Sequence, residues 1–209
     1  YAMISGFKNT LLNILKTQPV VDQHSEVWIL DTFLWVYQEF DGDVLLNKMR
    51  FVLPNAEFFP EQVSSIEQMA SYVFTQVKQY AGMQAWPIQL VAPHQISEQS
   101  FPHLEFANVT RGESAELIAA SGSLNISFNP NQINQPQDLI ASFSQSLAHI
   151  NLLQNRSLPP GGQEFVPQAV DLLSCFMGFG VMMANTAYQF RGGCGSCYNP
   201  YANRSATLN

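Results

Sequence analysis

The stretch QDLIASFSQSLAHINLL, residues 137–153, followed by PQAVDLLSCFMGFG, residues 167–180, decides how this chain is built. Leu139, Phe143, Leu147 and Ile150 recur at intervals of three and four, the spacing of one helix face turned into a core. Pro136 supplies the helix start, because its missing N–H falls where no intrahelical acceptor exists; Asn134 and Gln135 make the turn before it. The second segment begins near Pro167 and stays apolar to about Tyr188, which predicts a long final helix. LNISFN, residues 124–129, precedes the pair and reads as a strand.

Working outward, Phe7 to Lys16 has helical spacing and ends before Pro19. Ser25 offers an N-cap for an apolar helix through Trp28, Leu30, Phe33, Leu34, Val36 and Tyr37, ending near Asp41-Gly42. MRFVLPNAEFFP, residues 49–60, reads as a strand entering a Pro-bounded loop rich in aromatics. Glu61 to Tyr80 predicts a helix with Ile66, Met69, Val73, Val77 and Tyr80 on one face. Trp86 to Ala92 alternates like a strand, and residues 93–112 read as loop. Residues 116–120 and 124–128 flank Ser121-Gly122-Ser123 in the manner of a hairpin. The sum is α+β, mainly helical, with a small central β-sheet packed on helices.

Composition narrows the function. A chain of 209 residues builds one sizeable core, and the whole of 1–209 reads as a single domain. Charged residues are 12%, about half the usual share of roughly 25%. Nine basic against 16 acidic side chains give a formal charge of -7. Without a basic stripe to neutralise phosphates, no nucleic-acid partner is expected. Anionic membrane surfaces are disfavoured on the same ground, and the longest apolar run, Leu172 to Ala184, reads as too short to span a bilayer and holds two glycines. The start, Tyr1-Ala2-Met3, lacks the pattern of a secretory signal, with Met3 as the natural first residue. Three cysteines do not make a disulfide framework, and the expected compartment is the cytoplasm.

Strand, helix, helix in this order invites comparison with zinc peptidases. Such a site needs two ligands at i and i+4 on one helix face, a carboxylate beside the first, and a third ligand from a later helix. The metal lowers the pKa of its bound water and the carboxylate takes the proton. On VLPNAEFFP (52–60), QSLAHINLL (145–153), DLLSCFMGFGVMMAN (171–185) and GGCGSC (192–197), the chain resembles a family of uncharacterised bacterial proteins that carry an HExxH helix. The family is read as relatives of gluzincin-like metallopeptidases, and the likeness covers most of the chain. It implies a zincin-like helix pair at about 135–189, followed by a Gly- and Cys-rich segment at 191–209.

Laid on that pattern, Gln145 stands where the first histidine belongs and Ser146 where the glutamate base belongs. His149 matches the second histidine. Pro167 takes the place of the glutamate ligand in ExxxD, with Glu164 as a substitute if the loop shifts, and Asp171 matches the aspartate. A neutral amide is a poor zinc ligand, proline is none, and serine is far too weak an acid to act as a carboxylate base. The resemblance therefore implies a degenerate site: no catalytic residues, no cofactor expected, and a peptide or protein in a residual cleft as the candidate partner. Asn151 to Gln154 and RSLPPGGQEF, residues 156–165, would border that cleft, with the NAEFFP aromatics reaching it. His149 is expected to be buried and hydrogen-bonded to Asp171 or Gln145, since an unpaired carboxylate in an apolar helix is costly.

Two other readings stand beside this one. An altered metal site would draw on His149 with Glu164, Asp171 or His103 and would bind zinc. A small zinc or redox module would use Cys194 and Cys197, a CxxC pair lying after a helix in a Gly-rich stretch. Cys175 is expected to be buried apart from them. Gly178 and Gly180 read as sites of close helix packing, and Met177, Met182 and Met183 as core filling.

Overall fold

The computed structural model describes residues 21–42, 44, 50–61, 63 and 65–187. The helix expected at 7–16, Cys194 and Cys197, and the 191–209 segment lie outside them. In chain order the elements are α1 (Gln23–Glu39), α2 (Ile66–Tyr80), β1 (Ile88–Leu90), β2 (Leu104–Phe106), β3 (Leu117–Ala120), β4 (Leu124–Ile126), α3 (Pro136–Asn155), α4 (Val166–Ser174) and α5 (Gly180–Ala187). A π-helical turn, Cys175–Phe179, joins α4 to α5. The architecture is mainly helical α+β.

α3 forms where its spacing places it. Leu139, Phe143, Leu147 and Ile150 are all buried, and Pro136 sits in the first turn. Its left-handed C-cap at Arg156 (φ 58°) donates its N–H to the Leu152 carbonyl at 3.2 Å and stops the helix. α3 packs against α2, α4 and α5, with Phe143 meeting Phe74 of α2 at 5.4 Å between ring centres. One continuous apolar cluster then runs from Val36 to Met183, with Trp86, Phe179, Met182 and Leu173 fully enclosed. Met177 and Met183 join it, so the methionines fill core as expected.

Several boundaries differ from the sequence expectation. α1 starts at Gln23 because Asp22, ahead of Ser25, is the cap: its carboxylate accepts from the Ser25 backbone N–H at 3.0 Å and the Ser25 hydroxyl at 2.7 Å. α2 begins at Ile66 behind Ser65, whose hydroxyl accepts from the Gln68 N–H at 3.1 Å. Its inner face is Ala70, Val73, Phe74 and Val77, while Ile66 is exposed. Among the described residues of 49–60 there is no strand; the Val52 N–H is taken by the Gly178 carbonyl at 2.9 Å, outside any ladder.

The hairpin does not form. β3 pairs antiparallel with β2, and β4 pairs parallel with β1 through Ile88–Leu124 and Leu90–Ile126. Two separate two-stranded sheets replace the single small sheet. Burial explains the split: Leu124 and Ile126 of β4 are buried, whereas Ile118, Ala119 and Ala120 of β3 are exposed. Ser121-Gly122-Ser123 is thus a crossing between sheets, and the 93–112 region contributes β2 to one of them.

The long final helix expected from near Pro167 is present, with a π turn inside it. Gln163–Ala187 continues as one helical path of 25 residues whose most apolar 18-residue window has mean hydropathy 1.5, long and apolar enough by those measures to cross a membrane. The uninterrupted apolar stretch alone, Leu172 to Ala184, is what read as too short to span a bilayer. Half of its most apolar window is buried inside the protein. Gly178 bears a φ of 103° within the π turn, a conformation that a side chain resists. The glycine therefore serves a backbone kink, where close packing was expected.

Candidate functional site

α3 and α4 lie side by side and carry the five positions singled out in the sequence. Asp171 is 2% exposed, and Gln145 Nε2 donates to its Oδ1 at 2.6 Å. Both residues make further interactions as well. The short bond supplies a buried carboxylate with an amide donor, the requirement for keeping it inside an apolar helix pair. Each of the two residues was expected as a partner for His149; they bond to each other instead.

The other three positions do not join it. His149 is exposed, and among the described residues none is hydrogen-bonded to its imidazole. The geometry of the helix explains this. Gln145 sits at the edge of the buried arc of α3, and four residues on, His149 is rotated about 40° further toward solvent. The expectation of a buried His149 bonded to Asp171 or Gln145 is thereby corrected. The Ser146 hydroxyl, half-buried, donates to the Ser142 carbonyl one turn back at 3.0 Å. Pro167 is exposed in the first turn of α4, and Glu164 is exposed in the short 3-10 turn before it. His103 is exposed beside β2, with its backbone N–H on the Ser121 hydroxyl at 2.8 Å. Among the described residues no three His, Cys, Asp or Glu side chains come together in a metal-holding group. The substitute ligand set of His149, Glu164, Asp171 and His103 does not converge.

The segments expected to border a cleft are tied down. Trp28 Nε1 donates to the Pro160 carbonyl at 2.8 Å and Trp35 Nε1 to the Ser157 hydroxyl at 3.0 Å, so α1 lies across the 156–165 loop. Trp28 also packs on Phe165, with ring centres 5.3 Å apart. Asn151 is buried, and Gln154 Nε2 donates to the Leu104 carbonyl of β2 at 2.9 Å. The aromatics of NAEFFP turn elsewhere: Phe58 and Phe59 pack edge-on against Tyr80 of α2, at 5.4 and 6.0 Å. Cys175, partly buried beside the seam, has its thiol pKa pushed up to about 11 by burial and by the nearby Asp171 carboxylate.

A second polar centre was not read from the sequence. Asp41, at a φ of 53°, follows the end of α1 and aims Oδ2 at three donors: the Thr110 N–H (3.0 Å), the Thr110 hydroxyl (2.6 Å) and the Arg111 N–H (3.1 Å). This staple drives Arg111 inward until only 3% of it is exposed. Its Nη1 donates to the Ala81 carbonyl at 3.4 Å and its Nη2 to the Phe40 carbonyl at 3.3 Å, while Nε has no partner. Gly82 and Gly112 hold the loops together, the Gly112 N–H donating to the Gly82 carbonyl at 2.8 Å. A Cβ on Gly82 would stand 2.6 Å from the Gly112 nitrogen, so only glycine permits the approach. A cavity of about 370 Å³ opens beside Arg111, bordered also by Arg50, Tyr80, Gln84, Glu113 and Phe176. Neither the burial of Arg111 nor its meeting with residue 41 is encoded in a local pattern, so sequence offered no signal for this centre.

No family model matches the chain, and neither a curated protein nor a solved structure matches it.

Proposed function

We propose that this chain is a non-catalytic, metallopeptidase-like domain of the cytoplasm, serving a binding or structural role, in which the former metal-bearing helix pair has become a structural seam. The observation that supports the reading is the Gln145–Asp171 hydrogen bond across α3 and α4, with His149 turned to solvent. An amide that donates to the buried carboxylate gives it a hydrogen-bond partner from the facing helix, where a metal site would use it as a ligand. Ser146 is committed to its own helix backbone and offers no base.

The test is elemental analysis of protein carrying Cys194→Ser and Cys197→Ser, after zinc has been offered and the excess removed. The expected result is zinc well below one atom per chain. About one tightly held zinc per chain, lost on His149→Ala, would return the chain to the altered-metal-site class. Zinc bound by the unsubstituted protein and absent from the double variant would instead point to the cysteine pair as the metal-bearing module.

A further inference from the structure

We propose that residues 4–16 pack as a helix, antiparallel, on the exposed apolar stripe of α1, closing a helical hairpin through the 17–22 connection. The stripe shares no residue with the α3–α4 seam, so this inference is independent of the function proposed above.

The argument begins with a helix that is apolar on two opposite faces. Thr32 and Val36 of α1 are buried, and Trp28 and Trp35 tie that side to the 156–165 loop. On the far side, Val27, Leu30, Leu34 and Tyr37 stand between 39% and 55% exposed. They lie within about 80° of one another around the helix axis, centred opposite Thr32. A surface helix sets polar groups there, and a second apolar stripe calls for a cover. The spacing says which kind. Steps of three, four and three residues make the narrow seam by which one helix packs along another.

The chain carries a matching seam. Ile4, Phe7, Leu11 and Ile14 repeat the steps of three, four and three, ahead of α1 and outside the described residues. Set antiparallel, Ile4 meets Tyr37, Phe7 meets Leu34, Leu11 meets Leu30 and Ile14 meets Val27. In all four pairs the two residue numbers have the same sum, as a single antiparallel register without slips requires. The six residues from 17 to 22, Pro19 among them, remain for the connection, a usual length between packed helices.

Charge selects this occupant over a second copy of the chain. α1 holds Glu26, Asp31 and Glu39 and no Lys or Arg. Residues 1–21 hold Lys8 and Lys16 and no Asp or Glu. In the antiparallel register Lys8, which follows Phe7, flanks the seam on the same side as Asp31, which follows Leu30. Opposite charges at these flanking positions favour the pairing. Two α1 helices laid stripe on stripe would instead bring both Asp31 carboxylates together, like charge against like.

The experiment attaches a nitroxide spin label to the ¹⁵N-labelled full chain at Ser5→Cys or, separately, at Asn13→Cys. Cys175→Ala, Cys194→Ser and Cys197→Ser remove the other thiols, and both label sites face away from the seam in the proposed helix. The expected result is a loss of α1 amide signal strongest near Val36 for the first label and near Trp28 for the second. The reversed order would overturn the antiparallel register. Signal loss that arises only between labelled and unlabelled molecules mixed together would put a second copy on the stripe and overturn the proposal. α1 amides untouched by either label would overturn it as well. Should the thiol-free chain fail to fold, methyl NOEs in the unsubstituted chain carry the same test. Contacts of Leu11 with Leu30 and of Ile14 with Val27 are then expected, and their absence would refute the pairing.

Discussion

Asp171 and His149 show how little separates a ligand position from a surface position on one helix pair. Asp171 keeps its burial by accepting from Gln145 at 2.6 Å. Removing the amide leaves a buried acceptor short of one donor, and Gln145→Ala is expected to cost about 1–2 kcal/mol in urea unfolding. A double-mutant cycle with Asp171→Asn should return a coupling of roughly 0.5–2 kcal/mol, and additive losses would show that the two side chains do not act together. His149→Ala, at an exposed site with no bonded partner among the described residues, is expected to shift stability by no more than about 0.5 kcal/mol. The sequence offered Gln145 and Asp171 as alternative partners for a buried His149, and the two bond to each other. It misplaced His149 because the i, i+4 rule was applied without locating the edge of the buried arc. The information was present: Leu139, Phe143, Leu147 and Ile150 already define that arc.

At the scale of elements, the junction of α4 and α5 is the informative one. Gly178 and Gly180 lie two residues apart and read alike in sequence, yet their backbones differ. Gly178, at a φ of 103° in the π turn, should resist any side chain, and Gly178→Ala is expected to lower stability by about 1–3 kcal/mol. Gly180 opens α5 with helical dihedrals, and an added Cβ would come no nearer than 3.7 Å to Cys175. Gly180→Ala is therefore expected to be neutral or to stabilise by up to about 1 kcal/mol. Equal losses at both positions, measured by thermal or chemical unfolding, would contradict the conformational account. α3 and α2 were legible as elements from their periodicity, with Pro136 marking the start of α3. The π turn was not, because helix continuity across glycine depends on what the freed carbonyl finds, here the Val52 N–H at 2.9 Å.

For the molecule as a whole, the pH dependence of folding should carry the mark of Cys175. A thiol whose folded-state pKa lies above its unfolded value favours folding while it stays protonated. That contribution is complete below the unfolded value of 9.0 and is lost as pH rises toward about 11. The unfolding midpoint is expected to fall over this window, and less steeply in Cys175→Ala; an unchanged slope would remove Cys175 as the cause. The sequence by itself determined the class: mainly helical α+β, the buried stripe of α3 and the methionine-filled core. Each of these follows from local spacing and composition. Only the tertiary structure decided which strands pair, that α1 covers the 156–165 loop, and that Arg111 is driven inward against the backbone of residues 40 and 81. These are meetings of segments remote in sequence, chosen by the total apolar surface they bury, and no local pattern encodes that choice.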